Sequence, residues 1–158
     1  MNIRILPYQP QYQPYFEKLN KAWIEEFFTL EPIDLWVLEN PEEAILSKGG
    51  AIFFAEYNGL IIGAAALKVN EPGVLELTKM AVDRQHQGLG AGKLLCETAI
   101  RKAAEMGAGK LVLYTHSSLY TAIAIYKKLG FREVPVEAGR YARADVKMEI
   151  RQPNPLPL

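Results

Sequence analysis

The chain has one cysteine, no excess of charge of either sign, and no long apolar run. Because Cys96 is the only cysteine among 158 residues, an internal disulfide is excluded. The absence of a disulfide is compatible with a reducing compartment. Lysine plus arginine and aspartate plus glutamate each number 18, so no net field steers the protein toward nucleic acid or a membrane surface. No stretch approaches the roughly 18 apolar residues of a membrane span. Pro7 lies where a signal peptide would have its apolar core, so we expect a soluble cytoplasmic protein.

The composition is typical of one globular domain. Apolar residues make up 49% of the chain and charged residues 23%, which are ordinary values for a soluble domain with a single core. We assign this domain to residues 1–152. Residues 153–158 alternate proline with other residues and cannot form a helix or a central strand, so we expect them to be a tail.

Hydrophobic spacing predicts a mixed α/β (α+β) fold with one sheet. Apolar side chains at steps of three and four from Phe16 to Leu30 predict an amphipathic helix, and a weaker helical stretch at 31–48 is interrupted at Pro41. Residues 51–82 predict an antiparallel meander of three strands whose first turn is Asn58-Gly59. Further strands are predicted at 3–6, 110–115, 131–136 and 141–150, and further helices at 91–106 and 119–129.

A glycine-rich segment, Gln87–Lys93, joins the strand that ends at Val82 to the helix that follows. The N-terminus of a helix carries unpaired N–H groups and a partial positive charge. Glycines at 88, 90 and 92 allow the backbone to approach a phosphate and to adopt dihedral angles that a side chain would forbid. The strand, loop and helix together predict an anion site.

Two common nucleotide loops do not fit this segment. A Walker A loop needs Ser or Thr after the lysine, where the chain has Leu94. A dinucleotide fingerprint that starts at Gly88 or Gly90 needs glycine at 93 or 95, which are lysine and leucine. The pattern that fits is (Arg/Gln)-x-x-Gly-x-(Gly/Ala), met by Gln87, Gly90 and Gly92; a glycine turn without a ligand is the alternative.

This loop resembles the acetyl-CoA loop of the GNAT N-acetyltransferase family. A second segment, from Thr115 to Phe131, is similar to a family pattern of Thr-Asn, then Leu, then Ala-Ile-x-Leu-Tyr-x-x-x-Gly-Phe, except that His116 replaces the usual Asn. The resemblance implies a mostly antiparallel mixed sheet of about seven strands, flanked by helices, in which strands 4 and 5 run parallel and splay apart. It also implies acetyl-CoA as co-substrate and no metal.

The resemblance further implies where acetyl-CoA would bind. Its pantetheine would enter the gap between the splayed strands and pair with the backbone at Met80 and Val82 as an added strand does. The implied cofactor-binding residues are Met80, Ala81, Val82, Gln87, Gly88, Leu89, Gly90, Ala91, Gly92, Lys93, His116 and Tyr126. Because Gln87 is uncharged, the affinity for the diphosphate should depend on backbone N–H groups and Lys93.

Members of the family use direct attack of an amine, so no nucleophilic cysteine is expected and Cys96 is interpreted as a core residue. Tyr126 matches the family's general acid: a phenol with a pKa near ~10 is protonated at neutral pH and can donate to a departing thiolate. A buried aromatic without a catalytic role is the alternative for Tyr126.

Glu76 is the candidate base, because several family members carry a glutamate six residues before the equivalent of Val82. Strand periodicity places Glu76 on one face with Thr78, Met80 and Val82, and apolar surroundings would raise the pKa of a carboxyl group. A structural carboxylate paired with Lys79, Arg143 or another cation is the alternative. His116 or a water relay could also serve as the base.

The resemblance therefore implies an N-acetyltransferase that moves an acetyl group to a primary amine of a small molecule or peptide. A catalytically weak acetyl-CoA sensor and a protein or peptide acetyltransferase are the alternatives. We expect no nucleic-acid or membrane partner, and a homodimer is left open. Aromatic residues of the first helices could line the acceptor pocket, and Arg140, Tyr141 and Arg143 could clamp an acceptor carboxylate.

Overall fold

The computed structural model describes residues 2–138 and 143–151. Within these residues the chain forms seven strands and five α-helices, with 3₁₀ turns at 10–12, 46–48 and 84–86. The elements are β1 (Ile3–Pro7), α1 (Gln13–Phe27), α2 (Pro32–Glu39), α3 (Pro41–Ala44), β2 (Ala51–Tyr57), β3 (Leu60–Glu71), β4 (Val74–Val82), α4 (Ala91–Glu105), β5 (Lys110–Thr115), α5 (Tyr120–Lys128), β6 (Arg132–Val134) and β7 (Val146–Arg151). Arg140, Tyr141 and the predicted tail at 153–158 lie outside the described residues.

The strands form one mixed sheet in the order β1-β2-β3-β4-β5-β7-β6. All neighbouring strands are antiparallel except β4 and β5, which are parallel. The β4–β5 pairing joins Val74–Leu77 to Lys110–Leu113 and ends there, although both strands continue. The predicted mixed sheet with parallel fourth and fifth strands is confirmed, and the sheet opens between these two strands beyond Leu77.

The hairpin between β2 and β3 turns at the predicted dipeptide. Asn58 and Gly59 both have positive φ angles, 51° and 82°. A two-residue turn of this kind matches the right-handed twist of the flanking strands. The predicted meander of β2, β3 and β4 is therefore confirmed.

Side chains alternate along the central strands between two hydrophobic clusters. Ile52 and Phe54 of β2 pack with α1, α2 and α3, whereas Phe53 and Ala55 pack with α4 and α5. Successive side chains of a strand point to opposite faces, so both faces of the sheet are covered by helices. The small run Ala64–Ala66 in β3 is buried at every position, as this arrangement requires.

A β-bulge interrupts β4 at Lys79. Ala66 lies opposite Thr78 and Ala64 lies opposite Ala81, so β4 has one residue more than β3 between these pairs. Lys79 lies within this interval and has a φ of 51°, which is uncommon for a residue with a side chain. The bulge lies just beyond the point where β4 leaves β5.

The bulge overturns one prediction about β4. Glu76, Thr78, Met80 and Val82 do not share a face. Met80 and Val82 pack against the same hydrophobic cluster as Leu77, whereas strict alternation along β4 would place even-numbered residues on the face opposite Leu77. A one-residue insertion shifts the alternation of all side chains beyond it, and the periodicity of the sequence does not show it.

The closing strands are shorter than the sequence predicted. The strand predicted at 131–136 spans Arg132–Val134, and the one predicted at 141–150 begins at Val146. Immediately before it, the carboxylate of Asp145 accepts hydrogen bonds from the backbone N–H and the hydroxyl of Ser117, both at 2.8 Å. These bonds hold Asp145 beside the loop between β5 and α5. In residues 2–138 and 143–151, none of the helices has the length and apolarity needed to cross a membrane.

Gly50, at the start of β2, lies too close to neighbouring backbone to accept a side chain. A Cβ atom there would lie 2.4 Å from the carbonyl oxygen of Leu67 and 2.9 Å from that of Ile45. We expect Gly50→Ala to lower the free energy of unfolding by about 2 kcal/mol or more, because backbone must move to accommodate it. Gly109→Ala is the control: its Cβ would meet only the carbonyl oxygen of Gly73, at 3.9 Å. Urea unfolding measures both, and equal stability of the two variants would contradict the proposed close approach.

Candidate active site

The N-terminus of α4 has the features expected of an anion site. Gly90 is the N-cap residue, and among the described residues no side chain caps the helix and no acidic residue lies in its first turn. The flanking Gln87 and Lys93 are exposed. Within the part of the chain that the structure describes, the first N–H groups of this 15-residue helix thus have no acidic or capping side chain, and the helix dipole favours an external anion.

The glycines of this loop have two different roles. Gly88 and Gly90 have φ angles of 85° and 91°, and a Cβ on either would meet nothing within 4 Å. Glycine is needed there for the backbone conformation and not for space. Gly92 is helical, and its Cβ would lie 3.9 Å from Val82 Cγ2, which is an ordinary contact. Neither the backbone conformation nor lack of space therefore requires glycine at this position.

A cavity of about 330 Å³, the central cavity, lies where β4 and β5 separate. It is lined by residues of α1 and α2 on one side and by β4, β5 and α5 on the other. The structure brings four of the predicted site residues together around it: Glu76, Met80, His116 and Tyr126. Ala81, Val82 and the loop 87–93 are not among its lining residues, so the anion site and the central cavity are separate parts of the predicted site.

Tyr126 is 9% exposed and combines a buried ring with a place in the cavity wall. Its ring contacts Phe131 edge-to-face, with centroids 5.9 Å apart. Burial raises the pKa of the phenol above its usual value. The raised pKa makes this phenol a weaker acid than a free tyrosine, so a role as proton donor depends on its position in the cavity wall.

Cys96 is a core residue, as interpreted from the sequence. Its side chain is fully buried on α4, and its thiol donates to Met80 Sδ at 3.6 Å. Burial raises the pKa of the thiol to about 12. Because the thiolate is the nucleophilic form, this cysteine is chemically inert.

Glu76 is buried, with 2% of its surface exposed, and it lies in the cavity wall. Asn70 Nδ2 donates to Glu76 Oε1 at 3.0 Å, and Lys68 is its cross-strand neighbour on β3. The alternative interpretation paired Glu76 with Lys79, Arg143 or another cation, and of these pairings the structure removes only the one with Lys79. The structure instead places the ammonium of Lys79 on a different carboxylate, described below.

His116 is oriented by its own loop. Its Nδ1 accepts a hydrogen bond from the backbone N–H of Ser118 at 3.1 Å, and its Nε2 lies 3.8 Å from Asp145 Oδ2. The ring also contacts Phe28 edge-to-face. The same Nδ1 lies 2.8 Å from the hydroxyl oxygen of Ser118. His116 thus lines the central cavity, and its predicted roles in binding or as the base both stay predictions.

Asp34 forms a buried charge cluster at the cavity that the sequence did not reveal. It accepts from Lys79 Nζ at 2.7 Å and from both terminal nitrogens of Arg143 at 2.9 Å. The backbone N–H of Glu31 donates to it at 3.0 Å, as part of the capping box that starts α2. Burial alone would raise the pKa of Asp34, but hydrogen bonds from Arg143, Lys79 and Glu31 outweigh it and hold the pKa well below its usual range.

One sequence signal for Asp34 existed. Glu31 and Asp34 are three residues apart, which is the spacing of a capping box, and Pro32 occupies the first helical position, where proline is favoured. That signal predicts the start of α2 but not the two cations. Lys79 and Arg143 are 45 and 109 residues away from Asp34, and only the folded chain brings them to it.

Comparisons with known proteins agree with this geometry. The chain matches the model of the acetyltransferase (GNAT) family over residues 9–131. A rat relative, N-acetyltransferase family 8 member 2, is 33% identical over 96 residues, which cover 58% of this chain and 42% of that protein. The chain thus spans less than half the length of this relative.

Two solved structures share the fold along almost the whole chain. An acetyltransferase of the GNAT family from Staphylococcus aureus Mu50 superimposes with a TM-score of 0.85 at 23% identity, covering 96% of this chain and 99% of that one. The acetyltransferase yncA from Salmonella typhimurium, solved with its cofactor acetyl-CoA, gives a TM-score of 0.78 at 19% identity, covering 95% and 94%. At these identities the likeness shows the fold.

Removing the charge of Asp34 should destabilise the protein. Asp34→Asn leaves Lys79 and Arg143 close together without their shared carboxylate. We expect the free energy of unfolding at pH 7 to fall by about 2 to 3 kcal/mol, less than for a fully buried pair because both cations are partly exposed. Glu56→Gln, which breaks the exposed ion pair with Arg4, is the control and should cost less than about 1 kcal/mol.

The same variant has a defined pH dependence. The folded-state pKa of Asp34 lies below its unfolded value near ~3.9, so the stabilisation is complete above about pH 5 and is lost as the pH falls toward the folded-state pKa. We expect the stability difference between the wild-type protein and Asp34→Asn to shrink between about pH 5 and pH 3. A difference independent of pH in urea unfolding would contradict the charge cluster as its origin.

Proposed function

The chain belongs to the acetyltransferase (GNAT) family, and from this we propose that it transfers an acetyl group from acetyl-CoA to a primary amine of a small molecule or peptide. The proposed reaction is direct attack of the amine within a ternary complex. The observation that carries the proposal is the uncapped α4 N-terminus beside a sheet that opens onto a cavity holding Glu76 and Tyr126.

The residues present fit acetyl-CoA in two places. The diphosphate would bind the first N–H groups of α4 and the left-handed turns at Gly88 and Gly90, with Lys93 nearby. Beyond Leu77, the edge of β4 that faces β5 has no strand partner in the described sheet. The backbone of 80–82 is therefore free to hydrogen-bond an extended pantetheine, as a sheet edge binds a peptide. His116 and Tyr126 would contact the cofactor from the β5–α5 side.

Acetyl-CoA would supply an activated thioester, and two buried side chains would manage the protons. Glu76 lies in the cavity wall as a carboxylate that could accept the proton of the amine, directly or through water. Tyr126 is a phenol, which is protonated at neutral pH, and its hydroxyl could donate to the departing sulfur from the cavity wall. A binding module without catalysis would need the anion site but not a cavity with these two groups, and this supports the enzyme over the sensor.

A bulky residue at position 90 should remove the anion site. Gly90→Val cannot adopt the φ of 91° without strain, so the first turn of α4 must change and its N–H groups no longer converge. We expect acetyl-CoA affinity, measured by calorimetry, to fall about 10- to 100-fold, which corresponds to the loss of one or two charge-assisted hydrogen bonds.

Gly73→Val is the matched control. Gly73 has a φ of 78° and open space around it, like Gly90, but it lies in the β3–β4 turn at the other end of β4. This variant should have a similar cost in stability and normal affinity for acetyl-CoA. Unchanged affinity in Gly90→Val, or an equal loss in both variants, would disprove the loop assignment.

Tyr126→Phe tests the proton donor. The substitution keeps the buried ring and removes only the hydroxyl, so we expect kcat to fall about 100-fold while acetyl-CoA affinity changes less than about threefold. Thiol release under saturating acetyl-CoA and amine measures kcat. Tyr120→Phe on the same helix is the control, since its side chain is 77% exposed and outside the central cavity. A kcat equal to that of the wild-type enzyme would exclude Tyr126 as the acid.

A further inference from the structure

The carboxylate of Asp34 has no capacity for further hydrogen bonds. Four donors occupy it: Lys79 Nζ, two nitrogens of Arg143 and the backbone N–H of Glu31. A carboxylate offers about four acceptor positions, so these are filled. Asp34 is also 2% exposed, which leaves the two cations as the part of the cluster that a ligand can reach.

Lys79 has donors to spare. Among residues 2–138 and 143–151, Asp34 is the only acceptor of its ammonium, which has three N–H bonds. Its side chain lies in the wall of the central cavity, as does that of Arg143. One carboxylate thus faces two cations, and the cluster presents a net positive charge to the cavity.

The remaining charges of the cavity do not cancel this excess. Its described lining includes four cations, Lys48, Lys68, Lys79 and Arg143, and three carboxylates, Glu31, Asp34 and Glu76. Glu31 is used in the capping box of α2, and Lys48 lies over the ring of Trp36 at 5.9 Å. A second positive group on a ligand would meet repulsion here, whereas a negative group would be attracted.

The wall opposite β4 is apolar. Trp23, Phe28, Ile33, Trp36 and Val37 line it from α1, α2 and the turn between them. Ile33 and Trp36 of this wall are 62% and 39% exposed, so a ligand in the cavity can reach its apolar surface. Such a surface beside a few fixed polar groups is typical of a site that binds a ligand with an apolar body.

These features specify the acceptor, given the acetyl transfer proposed above. We propose that the acceptor is an α-amino acid with an apolar or aromatic side chain, whose carboxylate binds Lys79 and Arg143. Its amine then faces Glu76 and Tyr126, and its side chain packs on the apolar wall. Asp34 acts as a positioning residue, because it holds both cations and ties α2 to the bulge of β4.

Other amines lack part of this match. An arylalkylamine fills the apolar wall but brings no carboxylate to Lys79 and Arg143, and a polyamine adds positive charge beside them. The N-terminus of a peptide carries an amide in place of the α-carboxylate. The arylalkylamine and the peptide N-terminus each differ from the proposed acceptor only at the carboxylate, so both can be compared with it directly.

The experiment compares L-phenylalanine, L-phenylalaninamide and 2-phenylethylamine as acceptors for the wild-type enzyme. Thiol release at fixed acetyl-CoA gives kcat/KM for each. We expect L-phenylalanine to exceed both others by about 10- to 100-fold, the range expected for one charge-assisted interaction. Equal or faster turnover of the amide or the amine would overturn the acceptor assignment and leave the acetyltransferase proposal standing.

Binding without turnover separates the two proposals. Calorimetry with N-acetyl-L-phenylalanine and N-acetyl-2-phenylethylamine, in the presence of CoA, measures recognition of the carboxylate alone. We expect the first to bind at least tenfold more tightly. If this preference is found but no amine releases thiol, the proposed function fails and the carboxylate site stands. If the preference is absent, the carboxylate site fails whatever the turnover.

Two variants locate the preference on the named cations. Lys79→Met and Arg143→Gln should each reduce the ratio of kcat/KM for L-phenylalanine over 2-phenylethylamine at least tenfold. The N-acetyl ligands repeat the test for a variant with low turnover. Lys21→Met is the control, since Lys21 pairs with Glu17 and Glu39 outside the cavity. An unchanged ratio in both cavity variants would refute the assignment of the carboxylate site to Lys79 and Arg143.

Discussion

The separation of two parallel strands is the constraint on which this site depends. β4 and β5 share hydrogen bonds only as far as Leu77 and Leu113, and beyond that point each strand continues without the other. The backbone edge of β4 that this leaves open would be costly if it stayed buried and unpaired. It is therefore a natural place for an extended ligand to bind. The central cavity and the exposed start of α4 both adjoin this opening.

The bulge at Lys79 connects the two sides of the site. It places a lysine in a left-handed conformation on the strand proposed to bind acetyl-CoA, and Asp34 of α2 binds its ammonium. Arg143 binds the same carboxylate from the segment before β7. Bulges of this kind re-aim side chains next to active sites. Here a single buried carboxylate fixes groups from three elements, so the proposed acceptor site and cofactor site are mechanically linked.

The family relationship defines the fold better than it defines the acceptor. The match to the family model covers residues 9–131, and the two solved neighbours share the fold at 23% and 19% identity. Arg143 lies beyond the matched segment. The choice of acceptor thus depends on the residues that line this chain's own cavity, in agreement with the general observation that one fold supports many substrates through the side chains of its site.

The sequence alone determined the local elements. The Asn58-Gly59 turn, the strand–glycine loop–helix segment and the buried interpretation of Cys96 depend on neighbours in the chain, and the structure contains each of them. The place where β4 leaves β5, the bulge at Lys79 and the cluster around Asp34 depend on contacts across the sheet and between distant segments. Periodicity is a local property, so it placed Met80 on the face of Glu76, whereas the extra residue in β4 moved it to the other face. Only the tertiary structure decided which charges share the cavity, because a buried carboxylate and its cations are brought together by folding and not by their spacing in the sequence.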